Sequence, residues 1–271
     1  FRFLKDHEPA RELDVLAPKW SLPIVARMPE VRSGIASATA HGEVGLGTRW
    51  RIAQGLRNAD YDRAIVLPRS YKSALIPWFA KVPVRTGFRG EMRFGVINDM
   101  RRFDPEVLDQ TVKRFVALGM DNDEVLPDVL PNPELTVSKD NQQRAMRELG
   151  VETDRRIVAM MPGAEYGPAK CWPHEYFTEL AASLDREGFD VWVLGSQKDA
   201  VAGDAIGDGS KAINLCGKTS LEDVVDLLAA CSQAVSNDSG LMHIAAATGA
   251  HVHGIYGSSS PKFTPPLTKS R

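Results

Sequence analysis

Short apolar runs rich in β-branched residues alternate along this chain with longer stretches whose apolar positions recur every three or four residues, the pattern of an α/β protein. In the first half, "ELDVLAP" (12–18) and "DRAIVLP" (62–68) predict strands, a helix is expected from about Leu46 to Asn58, and "FRFLKDHEPAREL" reads as the last turns of a helix already under way. "PEVLDQTVKRFVALGM" (105–120) sets Val107, Val112, Phe115, Val116 and Leu118 on one helical stripe. The second half is more regular. Strands are expected at 155–162, 190–196, 212–217, 233–237 and 251–257, and helices at 172–188, 220–231 and 240–249. Strands separated by helices imply right-handed crossovers and parallel sheets. Between the halves, "LPDVLPNPELTVS" (126–138) carries three prolines, which forbid a continuous helix and mark a connection between domains 1–137 and 138–271.

Composition fits this division, since 271 residues at 43% hydrophobic and 25% charged supply two ordinary domains of roughly 100 to 150 residues each. The formal net charge of −2 excludes a strongly basic protein, so no nucleic-acid partner is expected and any basic surface is local. Cys171, Cys216 and Cys231 have no CxxC spacing and no even count, which fits a reducing compartment better than a disulfide framework. No run approaches the roughly 18 apolar residues of a membrane span. The chain opens on Phe1 rather than Met and stops at "PPLTKSR" without a closing element, so a fragment of a longer protein is expected.

In an open parallel sheet, ligands bind beyond the carboxyl ends of the strands. Four loops of the second half lie there: "PGAEYGPAKCWP" (162–173), "GSQKD" (195–199), "GKTSL" (217–221) and "NDSGLMH" (237–243). In the last, Asp238 or Ser239 is placed to cap a helix, while Gly240 lets an anion approach the helix N-terminus and His243 stands one turn further on. Thr219 with Glu222 matches a capping box, which accounts for both without a ligand. Lys170 alone reads equally as a surface lysine. The convergence of Lys170, Asp199, a glycine-containing loop and a helix start points instead to a pocket for a diphosphate joined to a hydroxyl-rich group.

From Arg69 to Arg102 stand eight basic residues against two acidic ones, a window of +6 that leaves −8 for the rest. Arg85, Arg89 and Arg93 recur every four residues, but Gly87 and Gly90 argue for a loop that aims guanidinium groups outward. Such a cluster is either a solvated face or a surface for a second, anionic substrate. Three further signals carry less. "DND" (121–123) resembles a metal-binding DxD but follows a helix rather than a strand, and His251 with His253 has no third ligand, so no metal is expected. No GxGxxG follows a strand, which weakens a dinucleotide reading, and "GSSSPKF" (257–263) is polar enough to line the pocket.

Taken together, "PGAEYGPAKCWP", "NDSGLMH", "YGSSSPKFTPP", "RSYKSALIP" and "RTGFRGEMRFGVIND" resemble the bacterial ADP-heptose:lipopolysaccharide heptosyltransferases of glycosyltransferase family 9, over essentially the whole chain. The resemblance implies the GT-B architecture, two Rossmann-like domains with parallel sheets facing across a cleft. It implies inverting transfer of L-glycero-D-manno-heptose from ADP-heptose to the heptose/Kdo inner core, with neither metal nor cofactor. It makes Lys170 the cation that neutralises the leaving diphosphate and sets Asp238, Ser239, Gly240 and His243 at the donor, Asp199 and Thr219 at the nucleoside, and Glu165 and Tyr166 beside the phosphates. Lys72, Arg85, Arg89 and Arg93 would face the anionic acceptor. The family's general-base aspartate, in a loop after the first strand, is expected upstream of Phe1, and the helices that finish the fold beyond Arg271. A lipid-anchored acceptor implies work at the cytoplasmic face of the inner membrane, with peripheral contact through basic residues. A sugar-nucleotide epimerase or hydrolase of the same architecture, or a non-catalytic binding relative, would share the diphosphate pocket.

Overall fold

The computed structural model describes residues 1–38, 45–122, 124–165 and 167–268. The chain divides into two compact units, Phe1–Leu22 with Arg32–Pro131, and Pro23–Val31 with Asn132–Arg271. The boundary expected after residue 137 therefore falls at Pro131, and a short segment of the first half joins the second unit.

The first half runs α1 (Arg2–His7), β1 (Asp14–Pro18), α2 (Leu22–Val25), β2 (Ser33–Ser37), α3 (Leu46–Leu56), β3 (Arg63–Ile65), α4 (Tyr71–Phe79), β4 (Val84–Phe88), β5 (Asp99–Arg101) and α5 (Thr111–Gly119). β1 pairs with β2, and β3, β4 and β5 form a second sheet, all parallel. Two expectations fail here. The basic stretch is a loop only in part, because Arg85 and Gly87 lie within β4 while Arg89, Gly90 and Arg93 follow in the connection to β5. The helix expected over 105–120 begins only at Thr111, since Asp104 accepts hydrogen bonds from the backbone N–H groups of Glu106 and Leu108 in a turn of its own. Of its expected stripe, Leu118 is buried, whereas Val107 and Phe115 are exposed.

The second half runs α6 (Lys139–Leu149), β6 (Arg156–Met161), α7 (His174–Arg186), β7 (Phe189–Val193), α8 (Ala200–Asp208), β8 (Ile213–Asn214), α9 (Leu221–Leu228), β9 (Gln233–Asn237), α10 (Gly240–Ala247) and β10 (His251–Ile255). Its sheet is wholly parallel in the order β10-β9-β6-β7-β8. Successive residues of β6 serve opposite faces. Ile157, Ala159 and Met161 join a core with Leu227 of α9 and Met242 of α10, while Val158 and Met160 join another with Phe177 of α7 and Ile206 of α8. Both faces are covered, so the strands read as unbroken apolar runs. The expected strand at 212–217 shrinks to two residues, and α6 and α8 come in addition to the expected helices.

Arg27 explains why segment 23–31 belongs here. Its guanidinium donates to Asp226 Oδ2 of α9 at 2.6 Å, and its carbonyl accepts from Thr136 N at 2.8 Å. The fully buried Asp226 carboxylate also accepts from Ser138 N and Asn141 Nδ2 at the start of α6. A buried charge so surrounded by donors is tolerated, whereas an unpaired one is not. Among the described residues, no helix is long and apolar enough to cross a membrane.

Candidate functional site

The strand order of the second unit reverses direction between β6 and β9. The chain leaves β6 toward β7 on one side, and leaves β9 toward β10 on the other, so the loops after these two neighbours diverge and open a crevice. Met161 at the end of β6 lies in register with Ser236 of β9, which sets Pro162 and Asn237 at the crevice mouth. Lys170 arrives from the first loop and Asp238 from the second, and they meet with Nζ 2.7 Å from Oδ2. Asp238 is 8% exposed. Burial pushes its carboxyl pKa upward, but the hydrogen bond and charge of Lys170 outweigh that and hold it below the ordinary carboxylate value.

Ser239 takes the N-cap position of α10, yet its side chain makes no capping hydrogen bond. Asp238 turns to Lys170 and, at 3.5 Å, to the Thr264 hydroxyl, so the capping role expected of Asp238 or Ser239 is not the one they perform. A helix start whose N-cap side chain leaves the amides alone keeps them available to an anion. An added Cβ at Gly240 would meet nothing within 4 Å, so the space before those amides is open.

His243 lies in the second turn of α10, half-buried. Burial drives its pKa down, against the opposing pull of Asp238, so the neutral imidazole is favoured. The folded protein then binds fewer protons at this site than the unfolded one. Its contribution to stability is present above the unfolded pKa of about 6.5 and is lost as pH falls through the lower folded value. Chemical denaturation as a function of pH should show a shallower loss of stability below about pH 6.5 in His243→Gln than in the wild type. Equal slopes would contradict it.

Asp199 stands at the end of the loop after β7, where its Oδ2 accepts from both Ser196 N (2.7 Å) and Ser196 Oγ (2.8 Å) in a capping box. The same carboxylate lies against Gly163 and Gly195, either of which would collide with it if given a Cβ. Thr219 corrects one expectation. The capping box of α9 is Ser220 with Asp223, not Thr219 with Glu222. The Thr219 hydroxyl is therefore buried with no hydrogen-bond partner among the described residues, at the carboxyl edge of the sheet. A hydroxyl left so costs on the order of 1 to 3 kcal/mol unless a ligand meets it. Thr219→Val should leave the melting temperature equal or higher and weaken nucleotide affinity several-fold by calorimetry. A lower melting temperature with unchanged affinity would show a structural role alone.

Glu165 and Lys198 pair at 3.6 Å between two of these loops, both largely in solvent. Tyr166 lies outside the described residues, as does Asp123 of the DND triplet. His251 and His253 stack edge to face, 4.8 Å between ring centres, with His253 bonded to Gln233. No group of three or more His, Cys, Asp or Glu side chains that could hold a metal gathers among the described residues.

In the first unit the four acceptor candidates separate. Lys72, in the first turn of α4, is half-buried with no partner for its ammonium among the described residues. Arg89 is exposed, its guanidinium 6.0 Å from the Phe94 ring. Arg85 and Arg93 are corrections to the outward-aimed reading. Arg85 donates to the carbonyls of Val82, Val96 and Pro83. Arg93 is fully buried and donates to the carbonyls of Phe88 and Pro68. Both guanidiniums satisfy backbone carbonyls, and so hold the loop between β4 and β5.

The profile of glycosyltransferase family 9 (heptosyltransferase) matches residues 49–271. The chain is 45% identical to lipopolysaccharide heptosyltransferase 2 of Salmonella typhimurium over 99% of its length and 80% of the relative's. It is 43% identical to lipooligosaccharide heptosyltransferase 2 of Haemophilus influenzae, over 99% and 81%. Superposed on the solved ADP-heptose LPS heptosyltransferase II of Escherichia coli, it gives a TM-score of 0.91 at 42% identity, covering 99% of this chain and 82% of that one.

Proposed function

The chain belongs to glycosyltransferase family 9, the heptosyltransferases, and from that premise we propose that it transfers a heptose from ADP-heptose to the inner core of lipopolysaccharide. It is a glycosyltransferase with two α/β units of the GT-B class, and its heptosyltransferase relatives do not favour the epimerase, hydrolase and non-catalytic alternatives. In the proposed reaction an acceptor hydroxyl attacks the anomeric carbon as the bond to the diphosphate breaks, in one inverting displacement. The new glycosidic bond takes the oxygen, its proton passes to a base, and ADP departs with the electron pair.

The observation that carries this reading is the Lys170 ammonium held at the switch-point crevice beside an uncapped helix start. Negative charge grows on the leaving diphosphate, and these two sources of positive charge meet it without a metal. Asp238 pairs with Lys170, and the donor phosphates would draw the ammonium away from it. Calorimetric titration with ADP, UDP and NAD tests the donor assignment, with ADP expected to bind most tightly. Preference for UDP or NAD would overturn it.

Lys72 and Arg89 remain as the acceptor-side cations. Reversing both charges should raise the KM for the anionic acceptor at least about tenfold while leaving ADP affinity unchanged. An unchanged acceptor KM would place the acceptor elsewhere. Contact with a membrane surface is proposed on the same footing, because a lipopolysaccharide acceptor is lipid-anchored and basic side chains favour an anionic leaflet.

A further inference from the structure

Lys170 sits on a loop, and a loop does not hold an ammonium in place by itself. The fully buried Asn237, last residue of β9, ties both ends of that loop. Its Nδ2 donates to the Pro162 carbonyl at 2.6 Å, where the chain leaves β6, and its Oδ1 accepts from Trp172 N at 3.0 Å, two residues past Lys170. The carbonyl can only accept and the amide N–H can only donate, so the side chain must offer one donor and one acceptor a fixed distance apart. A carboxamide does this. An Asp in its place would set a charge against the Pro162 carbonyl, and a Ser is too short to bridge both.

The loop is held from a second side as well. Ser258 N donates to the Ala169 carbonyl at 3.1 Å, and a Cβ on Gly257 would stand 2.5 Å from that same oxygen. The residue before Lys170 and the residue two after it are thus each pinned to a neighbouring strand end.

We propose that Asn237 is a positioning residue for Lys170: by closing the 162–172 loop onto β9 it sets where the ammonium meets the donor diphosphate. The inference rests on the reading of Lys170 given above. The Asn237 side chain is fully buried and its carboxamide is committed to two backbone partners, so its effect passes through Lys170 and vanishes when Lys170 is gone.

A double-mutant cycle on the full-length enzyme, read as ADP release, tests this. Asn237→Ala should slow turnover by roughly 10- to 100-fold in the wild-type background, the upper figure being the scale of an ångström-sized misplacement, and should slow it no further in Lys170→Ala. Gly257→Ala presses on the same loop from the exposed side and should give the same pattern, and it decides the matter if Asn237→Ala fails to fold. Equal slowing in both backgrounds would mean a general structural role and would overturn the proposal. So would wild-type turnover in Asn237→Ala or, if that variant does not fold, in Gly257→Ala. Wild-type turnover in Lys170→Ala would remove the underlying reading, and the proposal with it.

Discussion

Lys170→Ala is expected to lower turnover by roughly 10²- to 10³-fold, the usual loss when one preorganised donor to a developing charge is removed. The magnitude follows from electrostatics: two unit charges about 4 Å apart interact by ~4 kcal/mol at the effective dielectric of a site near a protein surface. Most of that interaction strengthens as the diphosphate gains charge in the transition state, so the loss should fall on kcat more than on KM. The fold should survive, because Lys170 is 23% exposed and its removal strands only Asp238, which titrates upward and keeps the Thr264 hydroxyl nearby. Lys170→Arg should recover part of the rate, since the charge stays while the compact ammonium is replaced by a wider fork. Steady-state kinetics with circular dichroism on the same samples checks both halves of the expectation. Wild-type turnover in a folded Lys170→Ala protein would refute the assignment.

Arg93→Ala should destabilise the first unit by about 3 kcal/mol without passing through the chemistry at all. Its guanidinium is 0% exposed and serves the Phe88 and Pro68 carbonyls, and truncation leaves these acceptors buried and unpaired beside an empty volume. Lys would not substitute, because a single ammonium cannot reach carbonyls that a planar fork spans. Gly87 shows how tightly the site is filled: a Cβ there would stand 3.0 Å from Arg93 Nη2. Denaturant unfolding measures the loss. A stable Arg93→Ala protein with a selectively raised acceptor KM would restore the acceptor role that the burial of Arg93 removes.

These two residues show what the sequence could and could not reveal. The place of Lys170 in a loop at the carboxyl ends of the parallel strands is legible because strand-helix alternation identifies those ends, where ligands bind in such sheets. Arg93 was misread because a charge every four residues looks the same in a string whether it faces water or feeds backbone carbonyls. Nothing local distinguishes the two until β4 and the Pro68 carbonyl are placed beside it. The cap of α9 went wrong by one residue for a similar reason. Thr219-Glu222 and Ser220-Asp223 both fit the spacing, and only the backbone angle at Ser220 decides between them.

The missed helices have their own physical causes. α6 carries ordinary punctuation, with Ser138 accepting from Asn141 N and Gly150 at φ 65, but its first core-facing position is Gln142 and its apolar stripe is confined to Ala145, Met146 and Leu149 in the second half. The sequence of α8 carries Gly203 in mid-helix, a poor helix former whose missing Cβ leaves room for Asn214, 2.3 Å from where one would be. Asn237 left no signal beyond its place before Asp238, since its value lies in two partners at sequence distances of 75 and 65 residues. The regular strands of the second unit, by contrast, were readable from their unbroken apolar runs.

The most direct measurement of the central claim is a structure of the full-length protein bound to ADP or to an inert ADP-heptose analogue. The β-phosphate should lie within hydrogen-bond distance of both Lys170 Nζ and the first-turn amides of α10, with the Lys170–Asp238 pair opened. Nucleotide bound elsewhere, or bound with Lys170 still closed on Asp238 and away from the phosphates, would contradict it.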